Sequence, residues 1–152
     1  MEKNHHRRFM KKALDEAEKA RRRDEVPIGA VVVHGDEIIG HGHNLRETRQ
    51  DPTAHAEIIA LREAAGNLDS WRLEDCHMYV TLEPCPMCAG ALVQARVERL
   101  IYAAKDPKSG AVTSLYGLIS DERLNHQIEV ISGIFREKSR KLLQDFFAEL
   151  RE

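Results

Sequence analysis

Cys85 and Cys88 stand three residues apart in Pro84-Cys85-Pro86-Met87-Cys88, where an apolar run at 78–82 gives way to a helical pattern at 91–95. Two thiols so spaced at a strand-to-helix turn can be two metal ligands or a redox pair. Zinc catalysis needs three protein ligands and an open fourth position for water, and thiolate with imidazole suits zinc. Both cysteines fall at a helix start, where the dipole favours the thiolate that a metal requires. Of eight histidines, His55 is best placed as the third ligand, because Thr53-Ala54-His55-Ala56-Glu57 also begins a helical pattern. In a sheet whose strands feed helices, ligands collect at the carboxyl ends of the strands, where two helix starts can meet. Glu57 is two residues from His55, a spacing that does not place both side chains on one metal. It does let Glu57 reach the open position from the side, take a proton from water and return it to a leaving group.

Each part has a plainer reading. A lone C-x-x-C can be redox or chance, although a redox pair expects a thioredoxin-like pattern that is absent. A single His at a helix start is usually structural, and a single Glu is usually on the surface. A structural zinc site needs a fourth ligand, and Cys76 is the only spare thiol. It lies at the far end of the preceding strand, about 20 Å from the turn at about 3.3 Å per residue, and reads as an ordinary buried cysteine. The combination of His-x-Glu with Pro-Cys-x-x-Cys thirty residues on is far more specific than its parts.

The elements that must position these groups follow from periodicity. Apolar residues recur at helical spacing over 6–22 (Phe9, Met10, Ala13, Leu14, Ala17, Ala20). The run at 28–33 reads as a strand buried on both faces, and 38–43 as its antiparallel hairpin partner after His34-Gly35-Asp36-Glu37. The segment 44–53 is polar and irregular. A helix begins at Ala54 and stops at Gly66-Asn67. Then come a strand at 77–82, the cysteine turn, a helix at 86–96, a strand at 99–104 and a polar loop at 105–110. A short helix is expected at 114–119, a fifth strand at 127–131 and an amphipathic helix at 135–150. This order predicts an α/β protein with a five-stranded mixed central sheet and helices on both faces, a three-layer α/β/α arrangement.

With 152 residues the chain is expected to form one domain over 1–152, large enough for its own core. Lys and Arg number 23 against 25 Asp and Glu, a net charge of −2, so no global basic excess announces nucleic acid. Residues 1–23 hold nine Lys/Arg against four acids, which reads as a solvated helix face. Three cysteines and no secretory leader argue against a disulfide framework, and no apolar run approaches membrane-spanning length. A reducing, cytoplasmic setting is expected. His5-His6 is too short for a metal tract.

His55-Ala56-Glu57 with Pro84-Cys85-Pro86-Met87-Cys88 matches the known H-x-E…P-C-x-x-C signature of the zinc nucleobase deaminases, a family that includes the bacterial tRNA adenosine deaminases. The chain resembles the bacterial tRNA-specific adenosine deaminases of the cytidine/deoxycytidylate deaminase superfamily from about residue 9 to 150. The resemblance is carried by 25–30, Asn44, 51–57, 79–85, 87–90, Asp106, Lys108, Gly110, Ser114-Leu115, Asn125-His126 and Phe146-Phe147. It implies a cytidine-deaminase-like fold, one Zn2+ per chain on His55, Cys85 and Cys88, and Glu57 as the proton shuttle. The implied reaction is hydrolytic deamination of the wobble adenosine of a tRNA anticodon, typically of an arginine tRNA, to inosine. The resemblance also implies substrate contacts by Asn44, Ala56, Asp106 and Lys108, the tRNA anticodon stem-loop as partner, and a homodimer. Phe146, Phe147, Arg140, Lys141 and Arg151 would border the RNA, although both phenylalanines also fit the apolar stripe of a packed helix. Two positions depart from the family: Thr113 stands where a smaller residue is usual, and Tyr116 where Met often follows Ser-Leu.

Two rivals remain at this level. A guanine, cytosine or other free-base deaminase would share His55, Glu57, Cys85 and Cys88, so the loops around Asn44 and 106–110 must discriminate. A non-catalytic zinc-stabilised RNA-binding module would want more stacking surface than one Trp, three Tyr and four Phe, and a basic excess. It would also have no use for Glu57.

Overall fold

The apolar run centred on Val31 forms β1 (Gly29–His34), whose first five residues are all buried, as a strand covered on both faces requires. In the computed structural model, which describes residues 2–150, β1 pairs antiparallel with β2 (Glu37–His43) and with β3 (Cys76–Leu82). Strand β4 (Arg99–Ala104) runs parallel to β3, and β5 (Glu129–Ser132) parallel to β4. The order β2-β1-β3-β4-β5 is the expected five-stranded mixed sheet.

Helices cover both faces. On one face, α1 (Glu2–Arg22) sets Phe9, Met10 and Ala13 against Val31, Val33, Tyr79 and Ile101. Burying Phe9 and Met10 contributes about 1.5–3 kcal/mol each, more than the roughly 0–1 kcal/mol of an exposed ion pair such as Arg21–Glu18. The apolar stripe therefore docks α1, and its basic residues form the solvated side. His6, without an assigned role in the sequence, is buried in this layer with Nδ1 2.7 Å from Tyr79 Oη. The C-terminal helix, numbered below, joins this layer through Ser139 Oγ, which donates to the Thr81 carbonyl at 2.5 Å.

The opposite face carries α3 (Ala56–Leu68) and α4 (Pro86–Ala95), preceded by the one-turn α2 (Arg46–Arg49). Ala56, Ala60, Ala64, Ala89 and Leu92 meet Val32, Met78, Val80, Leu100 and Tyr102. Helix α3 lies close on β2 because Gly40 and Gly42 have no side chains. A Cβ at either would collide with the carbonyl of Ala60 or Ala56. That close approach brings the start of α3 to the carboxyl end of β3. The chain closes with α5 (Arg136–Leu150).

The structure departs from periodicity in instructive places. Helix α3 continues through Gly66 to Leu68, because Asn67 Nδ2 donates to the Ile39 carbonyl at 2.7 Å and the left-handed Asp69 ends the helix instead. The expected helix at 114–119 is replaced by turns and a 3-10 turn at Leu118–Ser120. There the amides of Val112, Thr113 and Ser114 bond a buried carboxylate instead of carbonyls one helical turn back. The irregular 44–53 segment contains α2, and the fifth strand sits at Glu129–Ser132 instead of 127–131. Among the described residues no helix is long and apolar enough to cross a membrane.

Candidate active site

Strand β3 ends at Leu82, and the chain turns through Glu83 and Pro84 into α4. Cys85 caps the helix and Pro86 opens it, where a missing N–H costs nothing. His55 occupies the same capping place ahead of α3. The two helix starts meet: His55 Nδ1 lies 3.6 Å from Cys85 Sγ and 3.5 Å from Cys88 Sγ. All three ligand atoms fall within 4.8 Å of one another, and no other such trio occurs among the described residues. Tetrahedral zinc, with bonds of about 2.3 Å to sulfur and about 2.0 Å to nitrogen, separates N and S by about 3.5 Å. The donors therefore fit zinc as they stand. Cys76 is buried at the far end of β3 and takes no part; burial pushes its thiol up to about 11.

Protonation within the trio points the same way. The hydrogen bond with Cys88 pulls the Cys85 thiol down to about 4, against burial and with help from His55. The same bond, together with burial, pushes Cys88 up. The shifts oppose one another because the two sulfurs lie close together, so that the first to ionise makes the second harder to ionise. A divalent cation there would hold both as thiolates. The bond to Cys85 raises His55. Glu57, 4% exposed, sits beside the trio; burial pushes its carboxyl up to about 7, and nearby Cys85 pushes the same way. A carboxyl near neutrality can both accept and return a proton.

A cavity of about 760 Å3 opens over this cluster, within the range of small-ligand sites. His55, Ala56, Glu57, Cys85, Asn44, Asp106 and Lys108 all line it, while Cys88 is fully buried beside it. Asn44 Oδ1 accepts the Arg46 N–H at 3.0 Å, and its Nδ2 reaches the Val26 carbonyl only at 3.5 Å, so that amide can still donate to a ligand. Asp106 Oδ1 accepts the N–H groups of Lys108 and Ser109 at 3.1 and 3.2 Å and so shapes its own turn. Exposed Arg46, Lys105 and Lys108 give the cavity a cationic rim.

The two phenylalanines of α5 divide. Phe146 is buried, whereas Phe147 is 41% exposed and lines the cavity with Leu143 and Gln144. Arg140 and Lys141 pair along the helix with Glu137 and Asp145, at 3.6 and 3.0 Å, and do not line the cavity. Arg151 lies outside the described residues. Thr113 Oγ1 accepts a hydrogen bond from the buried Tyr102 hydroxyl at 2.9 Å, and Tyr116 is exposed.

Two buried carboxylates were not legible as site residues. Glu83 is 3% exposed and accepts from the N–H groups of Asp106, Val112, Thr113 and Ser114 and from Ser114 Oγ. Burial alone would push its carboxyl up, but those bonds hold it below the usual carboxylate range. Glu25 is 1% exposed and accepts from the N–H groups of Glu47 and Thr48 at 3.2 and 2.6 Å. Hydrogen bonds to a charged group contribute about 1.5–3 kcal/mol each, enough together to offset burying the charge. The only sequence signal was a charged residue closing an otherwise apolar strand, Leu82-Glu83-Pro84, and another just before one, Glu25-Val26-Pro27.

Comparison with known proteins supplies a family. A family model described as MafB19-like deaminase matches residues 4–151. The tRNA-specific adenosine deaminase of Bacillus subtilis (strain 168) is 53% identical over 144 residues, covering 95% of this chain and 89% of that protein. A solved structure from biochemical and structural studies of A-to-I editing by tRNA:A34 deaminases at the wobble position of transfer RNA has a TM-score of 0.86. It is 46% identical, covering 90% of this chain and 99% of that one. The guanine deaminase from Bacillus subtilis has a TM-score of 0.61 at 42% identity, covering only 64% of this chain and 62% of that one.

Proposed function

The chain belongs to the MafB19-like deaminases and, within them, to the tRNA-specific adenosine deaminases, and from that membership we propose how its own residues carry out the reaction. The chain has the cytidine-deaminase-like fold and converts the wobble adenosine of a tRNA anticodon, typically of an arginine tRNA, to inosine by hydrolytic deamination. One observation carries the mechanism: a buried carboxylate, Glu57, beside a set of three donors, one fewer than the four that a structural zinc site would use. His55, Cys85 and Cys88 hold one zinc ion per chain. Bound there, zinc supplies the acidity that makes water a nucleophile near neutral pH.

Glu57 accepts the proton of the water that adds to adenine C6 and returns it to the departing amino group, so that water is consumed and ammonia released. Asn44 donates its free amide N–H to the flipped-out base. Ala56, small and at the first turn of α3, lets the ring approach Glu57. Asp106 and Lys108 hold the neighbouring nucleotides of the stem-loop, and Arg46 and Lys105 add charge for its phosphates. We read residues 1–152 as one zinc-dependent deaminase domain, working as a homodimer in the cytoplasm, where its tRNA is found.

The free-base rival is disfavoured by identity over the whole chain. The guanine deaminase of Nitrosomonas europaea covers 93% of the chain at only 26% identity and that of Bacillus subtilis 64% at 42%, whereas the tRNA enzymes reach 46–53% over 90–95%. The test is inosine formation in an anticodon stem-loop, run beside free adenine, adenosine, guanine and cytosine. Inosine in the stem-loop with inert free bases is expected. Ammonia from guanine with an inert stem-loop would replace this reading by the rival.

A further inference from the structure

Two walls of the pocket lie outside the sheet and the long helices, and nothing in the reaction itself explains what holds them. One wall, 44–49, carries Asn44 and Arg46. The other, 105–114, carries Asp106 and Lys108. Each is tied to one buried carboxylate that stands outside the zinc constellation. Glu25 accepts the N–H groups of Glu47 and Thr48, at the open end of α2. Glu83 gathers both ends of the second loop: Oε1 takes the N–H of Asp106 and the hydroxyl of Ser114, and Oε2 takes the N–H groups of Val112, Thr113 and Ser114. Next to it, the Ala111 N–H donates to the Pro84 carbonyl at 2.9 Å, so the loop is stitched to the cysteine turn. Gly110 passes so close that a Cβ there would collide with the Glu83 carboxylate.

A carboxylate suits this task because it offers about four acceptor sites and no donor. An amide in its place keeps one acceptor oxygen and turns the other position into a donor facing N–H groups. Ala111 and Val112 anchor one end of the second loop in the core, but 46–49 and 107–109 are exposed, so the order of those stretches rests on hydrogen bonds.

We propose that Glu25 and Glu83 are the positioning residues of this enzyme, each fixing one wall of the pocket for the nucleotides that flank the target adenosine. The inference rests on the tRNA deaminase reading for its kinetic consequence, but not for its structural one. Glu25 does not line the cavity, and Glu83, which does, has both oxygens occupied by donors of its own loop. Their removal is therefore expected to weaken stem-loop binding through the fraction of molecules with the wall in place.

The test is hydrogen exchange of the zinc-loaded full chain, followed by mass spectrometry, with stem-loop kinetics alongside. In Glu83→Gln, amides of 105–114 are expected to exchange at least about tenfold faster, with 44–49, β3 and β4 unchanged and one zinc retained. In Glu25→Gln the change is confined to 44–49. Each variant is expected to raise KM about tenfold, with a smaller change in kcat, as when a tenth of the molecules are competent. Gly110→Ala leaves the carboxylate in place but displaces the loop from it, and is expected to loosen 105–114 alone. Ser114→Ala removes one donor and is expected to do so more weakly, which keeps the test sharp if Glu83→Gln does not fold. Unchanged exchange in the matching loop, or equal loosening of both loops and the sheet, would overturn the proposal. Loop-confined exchange with an inert wild type would overturn the adenosine reading and leave the clamps standing.

Discussion

Glu57→Gln is expected to retain one zinc per chain and to form inosine about 10²–10⁴-fold more slowly than the wild type, the usual contribution of a positioned acid–base group. The substitution preserves volume at a site that is 4% exposed, so the fold has little reason to change. Burial already makes the ionised form of this carboxyl costly, pushing it up to about 7. An uncharged isostere should therefore leave thermal stability equal or slightly higher. Metal content by mass spectrometry and inosine by nucleoside analysis separate the two effects. Turnover near the wild-type rate would remove Glu57 as the proton carrier.

His55→Ala and Cys88→Ala are expected to lose both metal and activity, with rates down at least about 10³-fold, since Lewis-acid assistance is worth several kcal/mol. Cys76→Ser is the informative control. It buries a hydroxyl in an apolar layer, at a cost of about 1–3 kcal/mol in stability, yet should keep one zinc and full activity below its melting transition. Cys76 is completely buried at the opposite end of β3 from the trio. Zinc loss in Cys76→Ser, or zinc retained at full stoichiometry in both ligand variants, would show that the ligand set is misassigned.

What could be read from the sequence divides along physical lines. Period and composition located every strand, and the cysteine turn needed only residue type and spacing to be seen as two ligands. His55 was found because its place before α3 mirrors that of Cys85 before α4. Glu83 and Glu25 escaped because all their partners but the Ser114 hydroxyl are backbone amides, 22 to 31 residues away, which leave no trace in side-chain pattern. The same bonds explain why 114–119 does not become the expected helix. Phe146 and Phe147 show a different limit. Periodicity marked a common stripe, but adjacent residues on a helix differ by about 100° in direction, and only Phe146 is buried.

Restoring zinc stepwise to metal-free chain, while counting inosine at the wobble position of an anticodon stem-loop, tests the link between the His55–Cys85–Cys88 trio and adenosine deamination. Inosine formation should be absent at the start, rise in proportion to added zinc and level off at one zinc per chain. Equal activity without metal, or an inert stem-loop once one zinc per chain is bound, would contradict it.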